Sequence, residues 1–289
     1  MRFPKKYIPV LLATGILATA TTVQAANFSD TYIAYRYGND FREPNNPNDV
    51  SKNILQFTHG SSYNYGQNFL NVDVLKSDSA DPANNSSEGA TEIYLTYRGQ
   101  LYLGKIFDKD LSFGPVKEVA ITAGFDVNTK NTKFAPSKRL LVIGPTLKLD
   151  VPIFWDVSLL WGREQNHCGL GAPACPKADI TFDPQAIFAT SWLIPFQTGP
   201  LPLKFQGFLN IAGPKGPDYA GIETKTETLM RTSLMLDVGK MVGGTKNTVW
   251  LGIGYEYWRN KFGNHYNAKG VEKTGINTSA PTLQAEWHF

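Results

Sequence analysis

The sequence predicts an all-β fold: an antiparallel, up-and-down transmembrane β-barrel of about 12 strands, with short periplasmic turns and long extracellular loops. Three observations predict it. The last stretch alternates without a break, Leu283, Ala285, Trp287 and Phe289 being apolar against Gln284, Glu286 and His288, which suits a strand with one face in oil and one in water. The segments that alternate in this way are even in number, as a single-chain bacterial barrel requires. Their connections also sort by parity, the odd ones mostly long and polar and the even ones short, an asymmetry that a soluble sandwich has no reason to produce.

The chain opens on a secretory signal. Arg2, Lys5 and Lys6 form a basic start, Ile8 to Ala20 an apolar middle, and Val23-Gln24-Ala25 a small-residue cleavage site, so 1–25 is read as signal peptide and 26–289 as barrel. The apolar middle is shorter than the ~20 residues of a spanning helix, which disfavours a retained anchor. Of 28 Lys+Arg, three lie in this leader, so the remainder balance the 25 Asp+Glu. The mature chain carries no basic excess that would point to nucleic acid. Aromatics make up 12% of the residues and mean hydropathy is slightly negative, as expected where only one face of each strand meets lipid.

In order, strands are expected at 28–37, 52–59, 66–75, 91–105, 116–128, 138–150, 155–164, 180–192, 203–211, 224–239 and 248–259, followed by the closing strand after the loop 260–277. Ile33, Tyr35 and Tyr37 oppose Tyr32, Ala34 and Arg36 in the first; Ile93, Leu95 and Tyr97 oppose Glu92, Tyr94, Thr96 and Arg98 in the fourth. Val249, Leu251, Ile253, Tyr255 and Tyr257 oppose Trp250, Gly252, Gly254, Glu256 and Trp258 in the eleventh. Pro184 falls inside the eighth, whose start is expected to be irregular or an edge. A turn is expected over 194–202, marked by Pro and Gly.

The polar register should line the lumen, because an Arg or Lys on the lipid face costs about 2–4 kcal/mol at the midplane. It holds Arg36, Asp73, Glu92, Arg98, Glu118, Asp126, Lys148, Asp156, Lys204, Arg231, Asp237 and Glu256. These serve either as wall-to-wall ion pairs or as a polar path for a solute. Aromatics on the same register, Tyr32, Tyr94, Phe208, Trp250 and Trp258, either fill the lumen or stack a flat heterocycle or sugar face. Gly252 and Gly254 are expected to leave room in the wall. The candidate substrate path is Tyr32, Arg36, Tyr94, Arg98, Trp250, Glu256 and Trp258.

Cys168 and Cys175 sit in one loop, and in an exported chain they are expected to form a disulfide. With His167 they would leave a zinc site one ligand short, so no metal and no cofactor are expected. His59-Gly60-Ser61 has the His-x-Ser spacing of outer-membrane lipid hydrolases. No acidic or amide orienter is evident, and no catalytic residue is assigned.

Two resemblances add to this. The terminal Phe289, with an aromatic two positions earlier, resembles the signal by which outer-membrane barrels are recognised by the barrel-assembly machinery. The stretch Asp110-Leu111-Ser112-Phe113-Gly114-Pro115, running on through Phe125-Asp126-Val127-Asn128, resembles the Tsx-like nucleoside-specific channel family, which includes OmpK-type proteins, some of them phage receptors. Tyr35-Arg36-Tyr37-Gly38, Gly144-Pro145-Thr146-Leu147 and Tyr257-Trp258-Arg259-Asn260 are also similar. The resemblance implies a monomeric outer-membrane barrel in lipid and lipopolysaccharide that passes nucleosides through a narrow polar lumen. The alternative is a surface receptor or adhesin with a sealed lumen; a lipid hydrolase is a remote third.

Overall fold

The computed structural model describes residues 26–289; the expected signal peptide lies outside the described residues. Twelve long antiparallel strands close into a ring, with one short extra strand. They are β1 (Phe28–Phe41), β2 (Val50–Tyr63), β3 (Gly66–Ser77), β4 (Thr91–Tyr102), β5 (Val116–Lys130), β6 (Arg139–Leu149), β7 (Phe154–His167), β8 (Asp179–Thr181), β9 (Gln185–Thr198), β10 (Leu201–Ala212), β11 (Glu227–Asp237), β12 (Val249–Arg259) and β13 (Thr278–His288). Each long strand pairs with its sequence neighbours, β7 pairs with β9, and β1 pairs with β13 to close the barrel. Closure leaves no long edge unpaired, which is the condition for a sheet to cross lipid.

The faces partition as the alternation requires. Outward residues are apolar and open: Leu141 is 68% exposed and Ile253 62%, with Leu159, Trp161, Leu251, Leu283 and Trp287 alongside. Inward residues are polar and buried: Arg36 is 1% exposed, with Asp73, Thr146, Asp156, Lys204 and Glu256 also buried. No packed apolar centre inside the ring holds Ile253 or Leu251; they face out.

Several boundaries differ from expectation. β4 stops at Tyr102, and Leu103–Phe107 form a one-turn helix α1, whose Gly104 amide donates to Glu118 Oε1 at 3.0 Å. The segment around Pro184 splits into β8 and β9, because proline cannot donate to the ladder. The expected turn 194–202 shrinks to Gly199-Pro200, Gly199 taking φ +57°; Pro195 and Pro202 both stay in the ladder. Connections 103–115 and 238–248 are longer than the expected short periplasmic turns, whereas 64–65, 150–153 and 199–200 are short. The loops at the opposite end, 42–49, 78–90, 131–138, 168–184, 213–226 and 260–277, are built from turns and short bridges. Cys168 and Cys175 are bonded in the fourth of these.

Candidate functional site: the lumen

The lumen divides into three tiers above the end that carries the short turns, the start of β1 and the end of β13, the periplasmic end in barrels of this type.

The floor holds two polar clusters. On one side Lys148 Nζ bonds both Asp156 oxygens at 3.0 Å, with Gln67 and Gln100 completing the group. On the other, Lys204 Nζ donates to Glu286 Oε2 at 2.5 Å and lies 4.4 Å from the Trp250 ring centroid. His288 bridges Glu286 and Asp30 at 3.1 and 2.8 Å, and Tyr32 stacks on its ring at 4.5 Å. Trp250 and Tyr32 are thus packed against floor ion pairs.

The middle tier crosses the bore. Asp73 on β3 accepts from Arg36 on β1 at 3.4 Å and from Arg231 on β11 at 3.1 Å; Arg231 also holds Glu256 at 3.0 Å. β3 and β11 stand nearly opposite in the ring, so the Arg231–Asp73 bridge spans the lumen. A guanidinium does this well, since its fork serves two carboxylates at once. A second group, Arg98, Asp126 and Tyr94, lies on β4 and β5, with Arg98 Nη1 2.7 Å and Tyr94 Oη 3.1 Å from Asp126. Arg98 folds over Gly124, where a Cβ would fall 2.8 Å from its Cδ.

Two phenylalanines complete this tier. Phe69 shares the inward register of Asn71 and Asp73, pairs across the ladder with Arg98, and is 40% exposed. Phe208 pairs across the ladder with Arg231, whose guanidinium sits 5.6 Å from its ring centroid. β3 and β10 face each other, with β2, β1, β13, β12 and β11 between them on one side and β4, β5, β6, β7 and β9 on the other. Opposite walls of the bore therefore each present an aromatic beside an arginine. Arg36 Nε and Gln56 Oε1 are buried near this tier with no hydrogen-bond partner among the described residues, an unmet donor and an unmet acceptor.

The mouth is filled by a loop. Glu43, from the β1–β2 connection, is buried and takes Lys52 from β2, Lys130 from β5 at 3.1 Å and Lys261 from the β12–β13 connection at 3.0 Å. Lys130 also pairs with Asp81 at 2.7 Å. Burial alone would raise the Glu43 carboxyl, but the three ammonium groups outweigh it and hold it well below the usual carboxylate range. Trp258 sits here, donating to Glu227 at 2.7 Å and lying 4.5 Å from Lys261 Nζ.

The seven expected path residues thus fall into separate tiers: Tyr32 and Trp250 on the floor, Arg36, Tyr94, Arg98 and Glu256 in the middle, Trp258 at the mouth. Sequence reasoning missed Phe69 and Glu43. Phe69 follows from the parity of Asn71 and Asp73; Glu43 lies in a polar loop with no periodicity to mark it. Asp237 and Glu118 cap turn and helix amides at the floor rather than lining the bore. Gly252 and Gly254 do not leave room: a Cβ would fall 2.5 Å from Met235 Sδ at the first and 2.6 Å from Thr282 Oγ1 at the second. One stretch of luminal wall is apolar, with Leu140, Val142, Leu160 and Ile187 packed together. His59 Nδ1 pairs with Thr31 Oγ1 at 2.8 Å, and no carboxylate bonds it among the described residues.

No protein-family model and no curated protein matches the chain. Among solved structures it is similar to the NanC porin (TM-score 0.45, 8% identity, 88% of this chain and 98% of that one). It is also similar to the translocator domain of autotransporter NalP from Neisseria meningitidis (0.44, 10%, 90% and 88%) and to the KdgM porin in complex with disordered oligogalacturonate (0.39, 8%, 89% and 99%).

Proposed function

We propose that this chain is a monomeric outer-membrane channel for passive diffusion of small polar solutes, nucleosides first. The observation that carries it is the middle tier, where Phe69 beside Arg98 faces Phe208 beside Arg231 across the bore. A flat ring with hydrogen-bonding edges suits this pairing, at roughly 1–3 kcal/mol per stacked base. Arginines and carboxylates are matched there, Arg36, Arg98 and Arg231 against Asp73, Asp126 and Glu256, which favours a neutral or zwitterionic solute over a strongly charged one. Weak contacts at successive points allow both capture and release. The resemblance to Tsx-like channels points to the same solute class. The apolar outer wall sits in outer-membrane lipid beside lipopolysaccharide, and Phe289 serves the assembly machinery.

Uptake of labelled nucleosides into proteoliposomes, against sugars of equal size, tests this. Faster nucleoside entry that falls in Phe208→Leu is expected; equal rates remove the specificity. A second reading, a sealed barrel that displays its loops as a surface receptor, is favoured by the Arg231–Asp73 bridge and the filled mouth, and predicts no uptake of either.

A further inference from the structure

Glu43 occupies an arrangement that the fold does not need for closure. Its carboxylate is carried by a loop, not by a strand. The ammonium groups around it come from three different parts of the rim: β2, β5 and the β12–β13 connection. All four side chains are almost wholly withdrawn from water. The loop is seated by neutral contacts as well: Asn45 N donates to Thr274 O at 2.9 Å, and Asn46 Nδ2 to Ala80 O at 2.7 Å. Gly275 packs so closely on it that a Cβ would fall 1.9 Å from Glu43 O.

Were Glu43 to leave, Lys130 would keep Asp81 as a partner, but Lys52 and Lys261 would be left with no carboxylate at bonding distance among the described residues. Lys261 would retain the Arg42 carbonyl only if the loop stayed. Two or three converging ammonium groups in a partly dry vestibule are an anion site, since the low local dielectric magnifies the attraction for a negative group.

We propose that the mouth is a three-lysine anion site in which Glu43 is a tethered stand-in for the carboxylate or phosphate of an external solute, and that exchange of Glu43 for that group opens the mouth. Lys52, Lys130 and Lys261 are the binding residues. Glu43 is the tethered occupant, and its loop, 42–49, is the moving part. An arriving anion takes over the ammonium groups, the loop is released outward, and the middle tier comes into contact with outside water. Attraction of the anion to the rim is separate from selection further down, where the charges are balanced.

This rests on the reading of the barrel as a channel, and the experiment separates the two. Single-channel current is recorded in planar bilayers for the full mature chain and for Glu43→Gln, with sodium phosphate exchanged for sodium chloride at constant ionic strength on the loop side. Removing the tethered charge is expected to raise the open fraction roughly tenfold, the factor set by one charge-assisted hydrogen bond. Phosphate is expected to raise the open fraction of the wild type and to leave Glu43→Gln unchanged. Lys261→Met, which removes one arm of the site and leaves Lys52 and Lys130 on Glu43, is expected to raise the open fraction less than Glu43→Gln and to weaken the phosphate response; it also serves if Glu43→Gln fails to assemble. Equal open fractions in wild type and Glu43→Gln overturn the gate while leaving the channel standing. A raised open fraction in Glu43→Gln with no phosphate response in the wild type overturns the anion site. No current from any folded variant, with folding shown by heat-modifiable migration, overturns both proposals.

Discussion

The Arg231–Asp73 bridge shows how one residue pair sets the bore. Asp73 also serves Arg36, so its carboxylate accepts from two guanidinium groups, and Glu256 supplies the second negative charge. Removing one partner of a buried ion pair leaves the other uncompensated, which costs about 3–5 kcal/mol. Asp73→Asn is expected to lower unfolding free energy by roughly 3 kcal/mol in a urea titration, and to widen the path between β3 and β11. Glu43 gives a pH signature. Its carboxyl is held below its ordinary value of about 4.3, chiefly by Lys261, Lys52 and Lys130 acting against the effect of burial. A depressed folded-state value stabilises the loop above the unfolded value and loses that stabilisation as pH falls through the folded one. Protection of the Asn45 and Asn46 amides, corrected for intrinsic exchange, is therefore expected to stay flat from neutral pH down to about 5 and to fall only in stronger acid. At this scale the sequence was half legible. Arg36, Arg98, Asp126 and Glu256 lie inside because a charge on a strict alternation has no other affordable place, and Tyr94 lies inside because it shares the parity of Arg98. Which residue meets which across the bore was not legible, since Asp73 and Arg231 are brought together only by closure.

For the elements, legibility followed periodicity. β1, β4, β12 and β13 alternate cleanly, and their faces emerge as expected. β6, β7 and β9 place Leu140, Val142, Leu160 and Ile187 inward, so apolar residues occur on both faces there and alternation carries less information. Proline marks the break before β9 correctly but misleads at Pro195 and Pro202, which stay in the ladder beside the Gly199-Pro200 turn of the β9–β10 hairpin. The loops folded into the mouth were illegible, because a polar loop bearing Glu43 looks the same whether it faces solvent or three lysines. The lipid face of β12 provides a test. Ile253→Lys is expected to lose about 2–4 kcal/mol of folding free energy in lipid vesicles, whereas the same charge already present inside, at Lys204 on β10, is compensated by Glu286. A cost near zero for Ile253→Lys would mean that this face meets protein or water instead of lipid.

The whole molecule is a ring of strands whose outer surface is apolar and whose inner surface is polar, narrowed at the middle and plugged at one rim. That partition is compatible with composition: matched charges over residues 26–289, modest hydropathy and abundant aromatics suit a one-sided apolar wall. The function depends on whether the polar interior is a path or only a filling, and ionic current through a lipid bilayer is the most direct measurement of that. Purified barrel should give discrete conductance steps, rare in the wild type and frequent in Glu43→Gln, and the current should fall when a nucleoside is added. A correctly folded barrel that leaves the bilayer silent, in both the wild type and Glu43→Gln, would contradict the account.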